Sequence, residues 1–333
     1  MRRMCFGLYL NSLGNYFHVE IKDLVKVGLS DKYPVKEYDE NQGFSPDVDW
    51  HIIIAPHEFF ILGNGTTFDT LKKWPDNIIL VTTEQPGTPW FNRTEKYYKY
   101  AKAIWDIDAL TAQHLQTNGL PCQHLGLGYH PGHQIFQEVP RLPTQPDYYF
   151  GQDIESSASG LHGKLSDRPI DIFFVGAWTP RRSKMFAKLS QVIGISNSVI
   201  LLIDTSKPLR PGHNFSLSTE LICGLEQRAK MILNIHRDDR TYFESHRILL
   251  HGIGQGALVL SEPCTEDPTF GSEEILFAPV EEMSALIKEF LGQKNLESAN
   301  EAARKATHSF RSKRRFEYVI ESLVDQLPIQ YNV

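Results

Sequence analysis

His236, Arg237, Glu244, Arg247 and Glu262 have the types and spacing to hold a ligand that carries phosphates and hydroxyls. Imidazole and guanidinium groups donate to phosphate oxygens, and carboxylates accept from sugar hydroxyls. All five lie within 229–262, where residues 231–235 (MILNI) and 257–261 (ALVLS) read as short buried strands. The first strand runs into His236 and the second into Glu262. A helix is expected over 241–254, with Glu244 and Arg247 three apart on one face. An ordinary ion pair is the alternative to a ligand role for these two. Gly252, Gly254 and Gly256 close this segment. One glycine there is a routine C-cap. Three point either to close backbone approach to a ligand or to a tight turn. Ligands of open α/β sheets gather outside the carboxyl ends of the strands, where these polar side chains fall.

A second group follows the strand expected over 170–175. Gly176 opens a loop that leads through Thr179 and Pro180 to Arg181 and Arg182 at the start of a helix. Such a junction offers backbone N–H groups and a helix dipole to an anion, and the arginines add bidentate donors. Lys230 and His236 are further candidates for a diphosphate. In the amino-terminal half, the apolar run 51–55 (HIIIA) ends in His57 and Glu58, and 77–82 (NIILVT) ends near Glu84. A charged pair after a wholly apolar strand is costly unless it is paired or functional. Glu58, His57 or Glu84 would serve as a general base, or a carboxylate would stabilise a developing positive charge.

The elements that carry these residues alternate strand and helix along the chain, the signature of parallel α/β architecture. Strands are expected at 5–10, 51–55, 77–82, 103–106 and 123–127, with helices at 19–27, 97–102 and 110–117. A second series has strands at 170–175, 198–203, 231–235 and 257–261. Its helices are expected at 181–192, 218–229, 241–254 and 281–291, with a last helix at 316–327. Residues 136–168 lose all periodicity and gain proline, serine and glycine, which reads as linker and loops. The expected organisation is a domain over 1–135, this linker, a ligand-binding domain over 169–310, and a terminal helix within 311–333 that crosses back to the first domain.

Composition narrows the function. The chain has 333 residues, enough for two cores. Its net charge of −6 argues against a nucleic-acid partner. The four cysteines (Cys5, Cys122, Cys223, Cys264) form no paired motif and fit a reduced, cytoplasmic protein. No apolar run approaches the length of a membrane span, which leaves peripheral contact as the only membrane role expected. The histidines show no zinc spacing. Asp106-Ile107-Asp108 has the letters of a metal motif, but it precedes a helix and lacks acidic neighbours. Neither a metal nor a cofactor is expected.

Residues 229–280 resemble the donor-nucleotide half of GT-B glycosyltransferases, in particular the group 1-like, spore-maturation-protein-like branch. There a strand ends in Asn, an Arg-x-x-Glu-Ala helix follows, and then come Gly-x-x-Val and Glu. The resemblance implies an α/β fold of two Rossmann-like domains facing a cleft. It also implies metal-independent transfer of a sugar from a nucleoside diphosphate sugar to a hydroxyl acceptor. Glycan, lipopolysaccharide or capsule assembly is the implied setting. Many retaining members carry a Glu-x₇-Glu pair here. Aligned on Gly256, this sequence has Phe243 and His251 at those positions, which leaves retaining stereochemistry unsupported. Rival readings are a GT-B-like epimerase or phosphorylase, and a sugar-nucleotide or glycan-binding module without chemistry.

Overall fold

The computed structural model of the chain describes residues 3–70, 74–144, 148–157, 163–204, 217–265, 267, 274–292 and 294–328. It divides into two compact units, Met1–His133 with Arg315–Val333, and Gln134–Arg314. Each contains one wholly parallel sheet with helices, so the fold class is α/β with two Rossmann-like units.

The first unit holds β1 (Phe6–Tyr9), β2 (Val35–Tyr38), β3 (Trp50–Ile54), β4 (Ile78–Thr82), β5 (Ala103–Asp106) and β6 (Cys122–His124) in the order β2-β1-β3-β4-β5-β6. Every residue of β1, β3, β4 and β5 is buried. That is why they read as unbroken apolar runs, as strands covered on both faces do. The edge strand β2 (VKEY) is half exposed and carries no such signal. The helices are α1 (Tyr16–Ser30), α2 (Pro56–Phe59), α3 (Pro89–Tyr98) and α4 (Ala109–Thr117). The strand order reverses between β1 and β3, and the crevice beyond that reversal is where such sheets bind ligands. It is flanked by the segments that follow β1 and β3.

The second unit orders its strands β11-β10-β9-β7-β8. These are β7 (Ile170–Ala177), β8 (Ser198–Ile203), β9 (Ala229–Asn234), β10 (Leu258–Ser261) and β11 (Leu276–Phe277). The helices are α5 (Gln152–Ser156), α6 (Pro180–Ile195), α7 (Thr219–Glu226), α8 (Val280–Leu291) and α9 (Leu296–Lys313). Here the order reverses between β7 and β9. The last helix, α10 (Phe316–Asp325), belongs to the first unit, where Phe316 N–H donates to Tyr129 O at 2.9 Å.

Four expectations change. The helix placed at 97–102 is α3, which starts at Pro89 because Thr88 Oγ1 caps it by accepting from Phe91 N–H at 3.0 Å. α9 gave no strong apolar signal because its buried face is mostly alanine, Ala299, Ala303 and Ala306, with Phe310. In the stretch 136–168, Ile154 and Leu165 are buried in the cores of the second unit; residues 145–147 and 158–162 lie outside the described residues. The helix expected over 241–254 is instead a single π turn, His246–Leu250, followed by a 3₁₀ turn, Ile253–Gln255. The glycines explain this. A Cβ on Gly252 would lie 2.6 Å from Ile248 O and 2.5 Å from Val259 Cγ2, and Gly256 sits at φ +72°, a left-handed conformation that glycine adopts freely. They make a tight turn against β10.

Among the described residues no helix is long and apolar enough to cross a membrane.

Candidate active site

Beyond β1 and β3 the first unit gathers two histidines and a carboxylate. Asn15 caps α1: its Oδ1 accepts from His18 N–H at 3.2 Å. That sets His18 in the first helical turn. β3 ends at Ala55 with φ +50°, the one left-handed non-glycine among the described residues. Strain of this kind costs on the order of 1–3 kcal/mol and persists where the surroundings enforce it, often at functional sites. The turn it makes starts α2, which carries His57 and Glu58.

The Glu58 carboxylate accepts from His18 Nδ1 at 2.9 Å and from Asn15 Nδ2 at 3.2 Å. Burial works to raise Glu58, but His18 outweighs it and the carboxyl is held below its usual range. Glu58 is therefore ionised at neutral pH. With Nδ1–H committed to Glu58, His18 keeps Nε2 as a base, and that atom lies 3.4 Å from Thr83 Oγ1 after β4. The His57 ring stands edge-on to His18 at 5.3 Å, with Nε2 3.5 Å from Glu84. Burial, then the neighbouring His18, pushes His57 down to about 3, so it stays neutral. One ligand atom each from His18, His57 and Glu58 lies within 4.8 Å of the others, a spacing that a metal ion could occupy. This set comes from two separate elements, and no local sequence spacing shows it. Asp106 and Asp108 are structural. Asp106 is buried against Thr82 Oγ1 at 2.5 Å, and Asp108 caps α4 through Thr111 N–H at 2.7 Å.

In the second unit the reversal lies between β7 and β9, and arginines fill it. Gly176 is the penultimate residue of β7; a Cβ there would lie 2.9 Å from Arg182 Nη1 and 3.0 Å from Arg247 Nη1. A side chain there would press on both guanidinium groups. Both also lie over the Phe174 ring, at 5.2 and 5.0 Å, a cation–π arrangement. Arg182 is buried and donates to the carbonyls of Ile235 and Ala177, each at 2.9 Å. Burial, then the adjacent Arg247, lowers it to about 9. Arg247 donates to Glu244 Oε2 at 2.9 Å and to Val175 O. Glu244 also faces His236 Nδ1 at 3.4 Å. Burial would raise Glu244, but Arg247, His236 and Arg182 outweigh it and hold it at about 2. His236 is raised, because its bond to Glu244 overcomes burial. Arg237, beside it, is exposed.

Several candidates sit elsewhere or are already engaged. Lys230 lies at the amino end of β9 and pairs with Asp171 at 2.7 Å, at the opposite edge from the ligand-binding ends. Arg181 is forked onto Glu262 at 2.8 and 2.7 Å and also meets Asp239 at 2.8 Å. Glu262 in turn accepts from His236 N–H at 2.7 Å. Arg181 and Glu262 thus neutralise each other and tie the end of β10 to α6. His251 is buried on Glu226 at 2.8 Å. The ring of His246 lies tilted against it at 4.5 Å. Gly256 serves the turn before β10.

The Glu244 cluster predicts a pH dependence. A carboxyl depressed from 4.5 to about 2 contributes stability that is complete above pH ~4.5 and is lost as pH falls through ~2. Glu244→Gln should lower Tm at pH 7, and its melting curve should fall less than wild type between pH ~4.5 and ~2. Parallel Tm–pH curves for the two proteins would refute this assignment.

No protein-family model and no curated protein matches the sequence. The fold does match solved structures along the whole chain. HepE from Anabaena, solved in complex with UDP and glucose, is 10% identical over 97% of this chain and 99% of its own, with a TM-score of 0.59. An α-glucosyltransferase, solved in complex with UDP-glucose and DNA containing an abasic site, is 10% identical over 99% and 100%, with a TM-score of 0.60. The chain therefore shares the GT-B-type α/β fold of these structures.

Proposed function

We propose that this protein transfers a sugar from a nucleoside diphosphate sugar to a hydroxyl acceptor. The observation that carries the reading is the pair of guanidinium groups over Phe174 against Gly176, beyond the strand reversal of the second unit. Glu244 alone offsets two guanidinium groups this close, one of them buried and bonded to carbonyls, which leaves a positive excess that favours a further anion. A diphosphate supplies that anion. Arg247 and Arg182 are its cradle, with Arg237 and His236 beside it, while Arg181 and Glu262 brace the loop. In the first unit His18 takes the acceptor proton at Nε2, and Glu58 orients it and stabilises the imidazolium. His57, neutral, packs on His18. The finer placement in the group 1-like, spore-maturation-protein-like branch rests on the residues of 229–280. A cytoplasmic setting is supported by four free cysteines. Although the α-glucosyltransferase structure contains DNA, the net charge of −6 favours a glycan or other small hydroxyl acceptor here.

The test is nucleotide release from a panel of UDP-, GDP-, dTDP- and CMP-sugars, with thermal shifts against the free nucleotides. One nucleotide should stabilise the fold by ~2–3 kcal/mol at ~100-fold excess over its Kd, and the matching sugar nucleotide should be turned over. Turnover should persist in excess EDTA. Loss that Mg²⁺ or Mn²⁺ restores would instead assign a metal to His18, His57 and Glu58. Absence of any nucleotide shift at millimolar concentration would sink the transferase reading.

A further inference from the structure

Resting on the sugar-transfer reading, we propose that the aromatic cavity beyond β2 is an acceptor subsite that takes a neutral pyranose. The cavity measures about 620 Å³ and is lined by Glu40, Asn41, Gln42, Phe44, Phe68 and Trp74 among others. That size falls in the range of small-molecule sites, which combine an apolar lining with a few placed polar groups.

The lining has two chemistries, and a sugar ring uses both. Phe44 meets Phe68 edge-on at 5.0 Å. Trp74 is stacked on Tyr100 at 4.2 Å and 4° and touches Phe60 at 5.1 Å. Because these rings brace one another, the wall is formed before any ligand arrives, which limits the ordering cost of binding. Aromatic faces carry partial negative charge and attract the polarised C–H bonds of a sugar face. Opposite in character is Glu40, only 4% exposed, whose oxygens accept from Ser12 N–H at 2.7 Å and Ser12 Oγ at 2.6 Å. A carboxylate has about four acceptor sites, so Glu40 retains capacity for ligand hydroxyls, and the amides of Asn41 and Gln42 line the same mouth.

The charge excludes the other class of ligand. Among the described lining residues there is one carboxylate and no lysine or arginine, so a phosphate would face repulsion where a neutral polyol finds acceptors. The cavity is also coupled to the candidate base. Phe59 and Phe60 follow Glu58 directly and pack on Phe68 at 5.1 Å and Trp74 at 5.1 Å. Asn11, beside Ser12, donates to Phe59 O at 3.2 Å and Leu62 O at 2.9 Å. One turn of chain thus carries Glu58 and the two rings that back the cavity wall.

The experiment uses the full chain and the methyl glycosides of glucose, galactose, mannose and N-acetylglucosamine in saturation-transfer NMR. At least one should receive saturation from the wild type. Trp74→Ala should weaken its binding about tenfold or more, as loss of an aromatic anchor does. Because Trp74→Ala removes part of a core, Thr67→Trp provides a second variant that fills the cavity from its exposed rim and should abolish the signal. Nucleotide release with water as acceptor should be unchanged in both. If no glycoside binds the wild type, or if binding survives both variants, the subsite is wrong even where nucleotide release is intact. Glycoside binding without nucleotide release would uphold the subsite as a sugar site and overturn the transferase reading alone.

Discussion

Replacing Glu58 by Gln should lower kcat by ~10²–10⁴ while the donor nucleotide binds as tightly as before. The substitution keeps shape and removes the charge that fixes the imidazole. Glu58 now accepts from His18 Nδ1 at 2.9 Å. A glutamine offers an oxygen or an N–H there, and the N–H would force the other tautomer, leaving Nε2 protonated and useless as a base. A carboxylate-to-amide change beside a general-base histidine costs about 10⁴ in kcat in serine proteases, for this reason. His18→Gln should fall by a comparable factor, and the double variant should fall little further, since residues acting as one unit are not additive. Nucleotide affinity measured beside kcat separates this from a folding defect: both variants should bind the nucleotide as wild type does while kcat falls. Normal kcat in Glu58→Gln with a lower Tm would make the pair structural and move attention to His57 and Glu84.

This prediction differs from what the sequence alone suggests, and the difference shows what a sequence carries. The central strands were legible because parallel strands covered on both faces are largely apolar: β3, β4 and β5 appear as runs such as HIII and IILV. β2 was not legible, because an edge strand with two exposed residues, Lys36 and Glu37, looks like a loop. Glu58 and His57 stood out as polar residues after an apolar run. Their partner His18 did not, because it sits inside an amphipathic helix 40 positions away and meets Glu58 only through the strand order. The one local signal is Asn15, a good N-cap three residues before it. In the second unit the residue types were legible and the pairings were not. Arg181 and Glu262 are 81 positions apart, and each is taken up by the other. Lys230 faced the wrong way for a simple reason: it opens β9 instead of closing it, and only the direction of the strand distinguishes those ends.

The same correction sharpens which cation holds the donor. With Lys230 and Arg181 engaged by Asp171 and Glu262, the burden falls on Arg247 and Arg182. Arg247→Ala should weaken nucleoside diphosphate binding by ~1.5–3 kcal/mol, roughly ten- to 150-fold, the range of charge-assisted hydrogen bonds. Arg247→Lys should recover only part, since it keeps the charge but loses the planar fork. Nucleoside binding without phosphates should barely change. The substitution also takes from Glu244 its nearest partner, at 2.9 Å, leaving His236 at 3.4 Å, and a half-buried carboxylate that loses a partner destabilises the fold by itself. Arg247→Ala combined with Glu244→Gln separates the two effects. Stability should return, because no orphan charge remains, while diphosphate affinity stays low. If affinity returns along with stability, Arg247 serves only to neutralise Glu244, and the anion cradle against Gly176 is not where the donor binds.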